Sequence, residues 1–323
     1  MAVRTDDEAV SEIPASDAVS GEDAQIIPIS AARSASGSNG SGPQSADERL
    51  AELFAFLRRR VTGDYEIDEF GFDPELNDKV LLELIRPIYR HWFRVETLGV
   101  RNVPADSGAL VVANHSGTLP VDALMMQVAL HDEAHRAVRL LGAHLVYQLP
   151  VLGHLSRKTG HTLATPEDAD RLLRKGELVG VFPEGFKGVG KPFSQRYKLQ
   201  RFGRGGFVTA AIRAGVPIVP CAIVGAEEIY PKIGDFPMLA RMLGVPYLPV
   251  TPFFPLLGPL GLIPLPSKWL IEFGEPIRTD TFDPADADDP LVVFNLTDQV
   301  REAIQHQLDA LRLRRGPAFP PFF

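Results

Sequence analysis

Ala109-Leu110-Val111-Val112-Ala113-Asn114-His115-Ser116-Gly117-Thr118-Leu119-Pro120-Val121-Asp122 is the stretch on which the fold of this chain turns. The apolar run at its start reads as a buried strand over 109–113. The segment that follows, Ala123-Leu124-Met125-Met126-Gln127-Val128-Ala129-Leu130, reads as a helix over 120–130. Pro120 suits a first helical turn, and Asp122 falls near the positive end of that helix. A histidine therefore sits on a strand-to-helix turn with one carboxylate close behind it. An imidazole held by a carboxylate can take a proton from an alcohol, because the carboxylate fixes the tautomer and stabilises the imidazolium that forms. No nucleophilic Ser or Cys motif accompanies the pair, which favours direct attack by an activated substrate hydroxyl. The bland alternative is a turn-capping histidine and an aspartate at a helix start.

Outward from this stretch the pattern alternates. Strands are predicted at 95–100, 137–142, 161–164, 178–182, 217–224 and 269–273, with helices at 166–175, 205–214 and about 290–314. This is an α/β fold: a largely parallel sheet covered by helices. Residues 47–62 read as a helix with Leu50, Leu53, Phe54 and Leu57 on one face. A second helix over 74–93 carries an apolar stripe of Leu76, Val80, Leu84, Ile85, Ile88 and Trp92, with Pro87 as an expected kink. Lys79, Arg86, Arg90 and Arg94 make that helix basic, so it fits either a membrane surface or the core. Residues 1–46 are rich in Ser, Ala, Gly and Asp and are expected to be disordered. The expected organisation is an acidic tail at 1–46, amphipathic helices at 47–94 and an α/β domain at 95–316.

The chain has 323 residues, 45 % hydrophobic, with a formal net charge of −8. That size suits one large domain with appendages, and the charge argues against nucleic acid as a partner. A single cysteine, Cys221, excludes intrachain disulfides and fits a reducing compartment. The acidic start lacks a basic n-region and an apolar h-region, so no secretory signal is expected.

A second motif follows the strand at 178–182: Phe182-Pro183-Glu184-Gly185-Phe186-Lys187. No acidic residue occurs from Gly185 to Ala226, while Lys187, Lys191, Arg196, Lys198, Arg201, Arg204 and Arg213 do. A glycine-bearing loop with one-sided charge is an anion-site candidate, and Gly205-Gly206 then opens a helix whose N-terminus also favours anions. Gly185 to Lys191 also matches G-x-x-x-x-G-K, but Pro192 stands where a phosphate loop needs a magnesium-binding hydroxyl. His131 and His135, in His-Asp-Glu-Ala-His, do not make a zinc motif and read as surface residues.

With both motifs in hand, the chain resembles the glycerolipid acyltransferase family, which includes the 1-acylglycerol-3-phosphate acyltransferases. The resemblance lies in Asn114-His115 with Asp122, in Phe182-Pro183-Glu184-Gly185-Phe186-Lys187 and in Val216-Pro217-Ile218-Val219-Pro220, in that order across roughly 95–275. It implies acyl transfer from a thioester donor, acyl-coenzyme A or acyl-carrier protein, to a glycerolipid hydroxyl. It implies His115 as general base and Asp122 as its partner, with Asn114, Pro183, Glu184 and Gly185 shaping the acceptor site. Lys187, at the family's Arg position, and Arg204 are the implied anion contacts. No metal or other cofactor is implied. The spacing is His-x6-Asp, two residues longer than the family's, and Gly117 is the residue able to absorb the excess. Lys for Arg at 187 and the Gly117-x-Leu119-Pro120-x-Asp122 pattern leave a neutral glycerolipid as the alternative acceptor. A silent lipid-binding protein on the same fold and a thioester hydrolase are the other readings.

Residues 242–267 contain no charge but seven prolines, which a bilayer-spanning helix cannot carry. The expectation is a non-spanning apolar loop and a peripheral or monotopic protein at the cytoplasmic face of a membrane.

Overall fold

The computed structural model describes residues 46–320, apart from Leu149 and Arg204, together with Gln25–Ile26. The tail predicted at 1–46 otherwise lies outside the described residues. The chain divides into two compact units with a boundary after Tyr65. In the first, α1 (Ala46–Thr62) is the predicted helix, with Leu50, Leu53, Phe54 and Leu57 exposed. Its Arg60 guanidinium stacks on Phe56 and Tyr65, at 4.8 and 4.4 Å from the ring centres.

The second unit is a seven-stranded sheet between two helical layers. Its strands are β1 (Glu96–Leu98), β2 (Ala109–Ala113), β3 (Val138–Gly142), β4 (Thr162–Leu163), β5 (Leu178–Val181), β6 (Ile218–Val224) and β7 (Leu270–Phe273). Their order is β1-β7-β6-β2-β5-β3-β4. Five run parallel, and β7 turns antiparallel against β6 with Leu270 opposite Val224. The longer helices are α2 (residues 74–92), α3 (Val121–Ala134), α4 (Pro150–Lys158), α5 (Pro166–Arg174), α6 (Gly206–Ala214) and α7 (Pro290–Arg315). The helix α4 was not foreseen; its apolar residues Val151, Leu152 and Leu155 face outward, so no buried stripe marked it.

β2 is the central strand of this sheet, and every one of its side chains is buried. Its period of two divides the core. Val111 packs on one face with Met125, Met126 and Val128 of α3 and Leu82, Ile85 and Tyr89 of α2. Leu110 and Val112 pack on the other with Leu172 of α5, Val208 and Ile212 of α6 and Val300 and Ile304 of α7. A strand covered on both faces must be apolar throughout, which is why 109–113 shows no alternation.

The helix predicted at 74–93 belongs to this body, but the buried face is shifted, and of the predicted stripe only Ile85 is buried. Leu82, Ile85, Tyr89 and Phe93 enter the core, whereas Leu84, Ile88 and Trp92 are exposed. The reason is local: π-type turns occupy Asn77–Leu82 and Ile88–Trp92 on either side of Pro87. A wider turn rotates the following residues out of the 3.6-residue phase on which the stripe was read.

His131 also differs from its expectation as a surface residue. It lies in α3, its Nε2 3.1 Å from Asp78 and its Nδ1 3.2 Å from Asp132, which in turn pairs with Arg86. Burial works against its charged form, but the hydrogen bonds to Asp132 and Asp78 outweigh it and raise its pKa to about 9. A pKa raised on folding gives stability that is present below the unfolded value, ~6.5, and is lost as pH rises through the folded one. We therefore expect Tm to fall between about pH 7 and about pH 9. His131→Gln should flatten that fall in thermal melts.

Candidate active site

The parallel strands bring the two motifs to one place. β2 and β5 are neighbours, with Val112 beside Val181, so the loops leaving their carboxyl ends emerge side by side. His115 stands on the first and Glu184 on the second.

His115 Nδ1 lies 2.8 Å from Asp122 Oδ2. A carboxylate can only accept, so Nδ1 carries the proton and Nε2 is left as the basic nitrogen, without a partner among the described residues. Asp122 is fully buried and also accepts the Ser116 N–H at 2.8 Å and the Ala123 N–H at 2.9 Å. These bonds fix the carboxylate, and through it the ring. The His115 side chain is 12 % exposed, with the Phe182 ring 4.4 Å away.

The long His-to-Asp spacing is taken up by backbone geometry. Gly117 and Thr118 both have positive φ, 93° and 67°. Two tight turns follow, Leu119 N–H to Gly117 O and Val121 N–H to Leu119 O. Position 117 requires glycine on a second count, since a Cβ there would come within 2.7 Å of the Ala226 carbonyl. Thr118 is held in its uncommon conformation by three contacts: its hydroxyl to Tyr230 O, its N–H to Val189 O and the Tyr247 hydroxyl to its carbonyl.

Glu184 ties the second motif to the first. One oxygen accepts the His115 N–H at 2.8 Å, the other the Gln200 N–H at 2.5 Å. Burial raises its pKa, opposed by the charge of Lys191 and by those two N–H groups. Gly188 brings the loops close: a Cβ there would lie 2.6 Å from the His115 carbonyl.

The other expected site residues take different places. Asn114 is fully buried, its amide donating to Ile223 O at 3.0 Å and accepting from Ile223 N–H at 2.7 Å. It extends the pairing of β2 with β6, and each end of its amide is engaged by Ile223. The Pro183 carbonyl accepts the Gly203 N–H, closing the loop on itself. Gly185 is exposed, with φ 53° and ψ −142°, a conformation open to glycine. Lys187 is exposed, without a partner among the described residues. Arg204 lies outside the described residues.

Lys191 is the largest departure. Read as one of several loop cations, it is buried, 3.4 Å from Glu227. Its amine also donates to the Lys198 carbonyl at 3.3 Å. Lys232 is likewise buried and paired with Asp235 at 2.8 Å. A neighbouring cluster joins Tyr197, Glu228 and Arg315, with Arg315 2.7 Å from Glu228. The signal for these pairs was present: Glu227 and Glu228 are the first acids after the acid-free interval. Among the described residues no group of three metal-ligating side chains occurs.

The Acyltransferase family model matches residues 94–224. A Mycobacterium tuberculosis protein described as uncharacterised is 57% identical over 293 residues, covering 89% of this chain and 82% of its own. The human "DGAT1/2-independent enzyme synthesizing storage lipids" is 24% identical over 221 residues, 68% of this chain and 62% of its own. Among solved structures, the 1-acyl-sn-glycerophosphate acyltransferase PlsC of Thermotoga maritima is similar, with a TM-score of 0.46 and 20% identity over 72% of this chain and 81% of that one. The matched interval runs from the start of the sheet through both motif loops to the end of β6, and over that interval the chain carries an Acyltransferase family domain.

Proposed function

We propose that the protein moves a fatty acyl chain from a thioester, carried on coenzyme A or acyl-carrier protein, to a hydroxyl of a glycerolipid such as 1-acylglycerol-3-phosphate. The observation that carries this reading is the 2.8 Å bond between His115 Nδ1 and Asp122, which leaves Nε2 basic beside the Glu184 loop. The acceptor hydroxyl gives its proton to Nε2 as its oxygen attacks the thioester carbonyl carbon. The tetrahedral intermediate collapses, the C–S bond breaks, and the imidazolium returns the proton to the departing thiolate. So written, the reaction needs no metal and no redox cofactor.

Asp122 acts through the ring. Asp122→Asn keeps the shape but removes the charge and can accept only at one end: with its oxygen on His115 Nδ1 and the Ser116 N–H its NH2 faces the Ala123 N–H, and turned the other way it faces Nδ1 and favours the wrong tautomer. The expected result is a kcat lower by about 10²–10³-fold with little change in KM. Steady-state kinetics of the purified variant check it.

Lys187 is the cation of the Phe-Pro-Glu-Gly loop that remains available to an acceptor phosphate, as a point charge. The withdrawal of Lys191 and Lys232 into ion pairs favours a second reading, a neutral glycerolipid acceptor. The similarity to the human enzyme named for storage-lipid synthesis points the same way. Lipid substrates support a place at the cytoplasmic face of a membrane, peripheral or monotopic. Among the described residues no helix is long and apolar enough to cross one.

The test is thiol release from long-chain acyl-coenzyme A and acyl-carrier protein with a panel of acceptors, native protein against His115→Ala. Release that requires 1-acylglycerol-3-phosphate supports the first reading, and release that requires a mono- or diacylglycerol supports the second. Release without any acceptor would make the protein a hydrolase and overturn both.

A further inference from the structure

The loops after β2, β3, β5 and β6 all leave one edge of the sheet, because these strands are parallel. The segment after β6 also returns to that edge, since β7 starts opposite the end of β6. The His115 loop lies between two flanks there. On one side, α4 exposes Leu152 (54 %) and Leu155 (42 %). On the other, the segment after β6 exposes Met238 (79 %), Met242 (77 %), Leu256 (83 %) and Leu260 (67 %).

These side chains do not belong to an untethered loop. Its inner side is bonded to the body: Tyr247 hydroxyl to Thr118 O at 2.5 Å, Tyr230 hydroxyl to Leu262 O at 2.5 Å and Trp92 Nε1 to Pro264 O at 2.9 Å. The backbone is held, and the apolar groups are turned to solvent. Six exposed apolar side chains gathered at one edge mark an interaction site.

Charge selects the partner. Between the flanks Lys187, Lys198 and Arg201 are exposed, and none pairs with a carboxylate among the described residues. The uncharged run 242–267 begins after Arg241, also exposed. Apolar groups rimmed by unpaired cations, with no acid from 185 to 226, complement hydrocarbon beneath anionic headgroups. The prolines are compatible with headgroup depth, where water still reaches backbone carbonyls.

We infer that the carboxyl edge of the sheet is a bilayer-docking face, whose two apolar flanks enter the headgroup region of an anionic membrane and set His115 over the lipid. The inference rests on the reading of the acceptor as a lipid. It also assigns an orientation: the amino edge, where Arg136 bonds Ser107 O and Gly176 O, points away from the membrane.

Cys221, the sole cysteine, is fully buried, so an introduced thiol can be labelled selectively. A polarity-sensitive fluorophore is placed on Leu256→Cys, on Leu152→Cys and on Leu84→Cys. Leu84 is 69 % exposed, close to Arg86, which pairs with Asp132 in the last turn of α3, towards the amino edge. With vesicles of phosphatidylcholine and phosphatidylglycerol, the labels at 256 and 152 should shift to the blue and the label at 84 should not. Leu256→Asp with Leu260→Asp should weaken vesicle binding by about 10-fold or more. A shift at 84 with none at 256 and 152 would overturn the inference. So would a dimer in solution that shields the 256 label from a soluble quencher, since a second copy would then cover the face. Docking through 256 and 152 with no transfer to any acceptor would uphold the inference and overturn the functional reading. Transfer to detergent-dispersed acceptor with no vesicle binding would do the reverse.

Discussion

His115→Ala should abolish measurable acyl transfer, lowering kcat by about 10³–10⁴-fold, while the protein folds and melts much as the native chain does. The asymmetry follows from how the residue is bonded. The side chain makes one hydrogen bond, to Asp122, and is partly exposed, so its loss leaves a small surface depression. The contacts that hold the loop, Glu184 to the His115 N–H and Asp122 to the Ser116 N–H, use backbone donors that alanine retains. Single-turnover thiol release, measured beside a thermal melt, separates the two effects. A variant that keeps transferring at the native rate would remove His115 from the chemistry, whatever the integrity of the fold.

Lys191→Met should have the opposite profile, a large loss of stability. Three carboxylates, Asp122, Glu184 and Glu227, are buried around the two motif loops, and Lys191 lies where its charge acts on the last two. Removing one partner of a buried pair leaves an uncompensated charge, and such losses run to about 3–5 kcal/mol. The pH dependence carries the diagnosis. Burial raises the pKa of Glu227 and Lys191 opposes it, so without Lys191 the value rises further. A carboxyl whose pKa is raised on folding costs nothing below its unfolded value and costs progressively more as pH climbs through the folded one. The deficit of the variant should therefore be smaller at about pH 5 than at about pH 7.5. Urea melts at the two pH values check it. An equal deficit at both would mean that lost packing, not lost charge, is responsible.

Much of the fold can be read locally, and the reasons are visible in particular elements. β2 is apolar at every position because it is covered on both faces, and that run is evident without any partner in view. α5 begins after Thr165, whose hydroxyl accepts from the Asp168 N–H, with Pro166 in its first turn; such caps are written in consecutive residues. Helix α2 was legible as a helix but not in its buried face, because the turns on either side of Pro87 shift the phase and the period alone does not record that.

At the site the division is similar. His115, Asp122 and the Phe182-Pro183-Glu184-Gly185 loop stood out in sequence because each belongs to a short contiguous pattern. Their meeting required a parallel sheet, and the alternation of elements already implied one. The roles of Asn114, Glu184 and Lys191 were not legible. Asn114 is consumed by Ile223, Glu184 by the His115 and Gln200 N–H groups, and Lys191 by Glu227. Lys187 and Lys191 lie four residues apart in one loop, yet one is exposed and the other buried. The sequence by itself determined the seven strands, the longer helices other than α4, the order of the motifs and the presence of a histidine with a carboxylate close behind it. Only the tertiary structure decided which charges stay open to solvent and which face each other. Periodicity and caps are properties of neighbouring residues, whereas the partner of a buried charge is chosen by strands that adjoin in space and lie far apart along the chain.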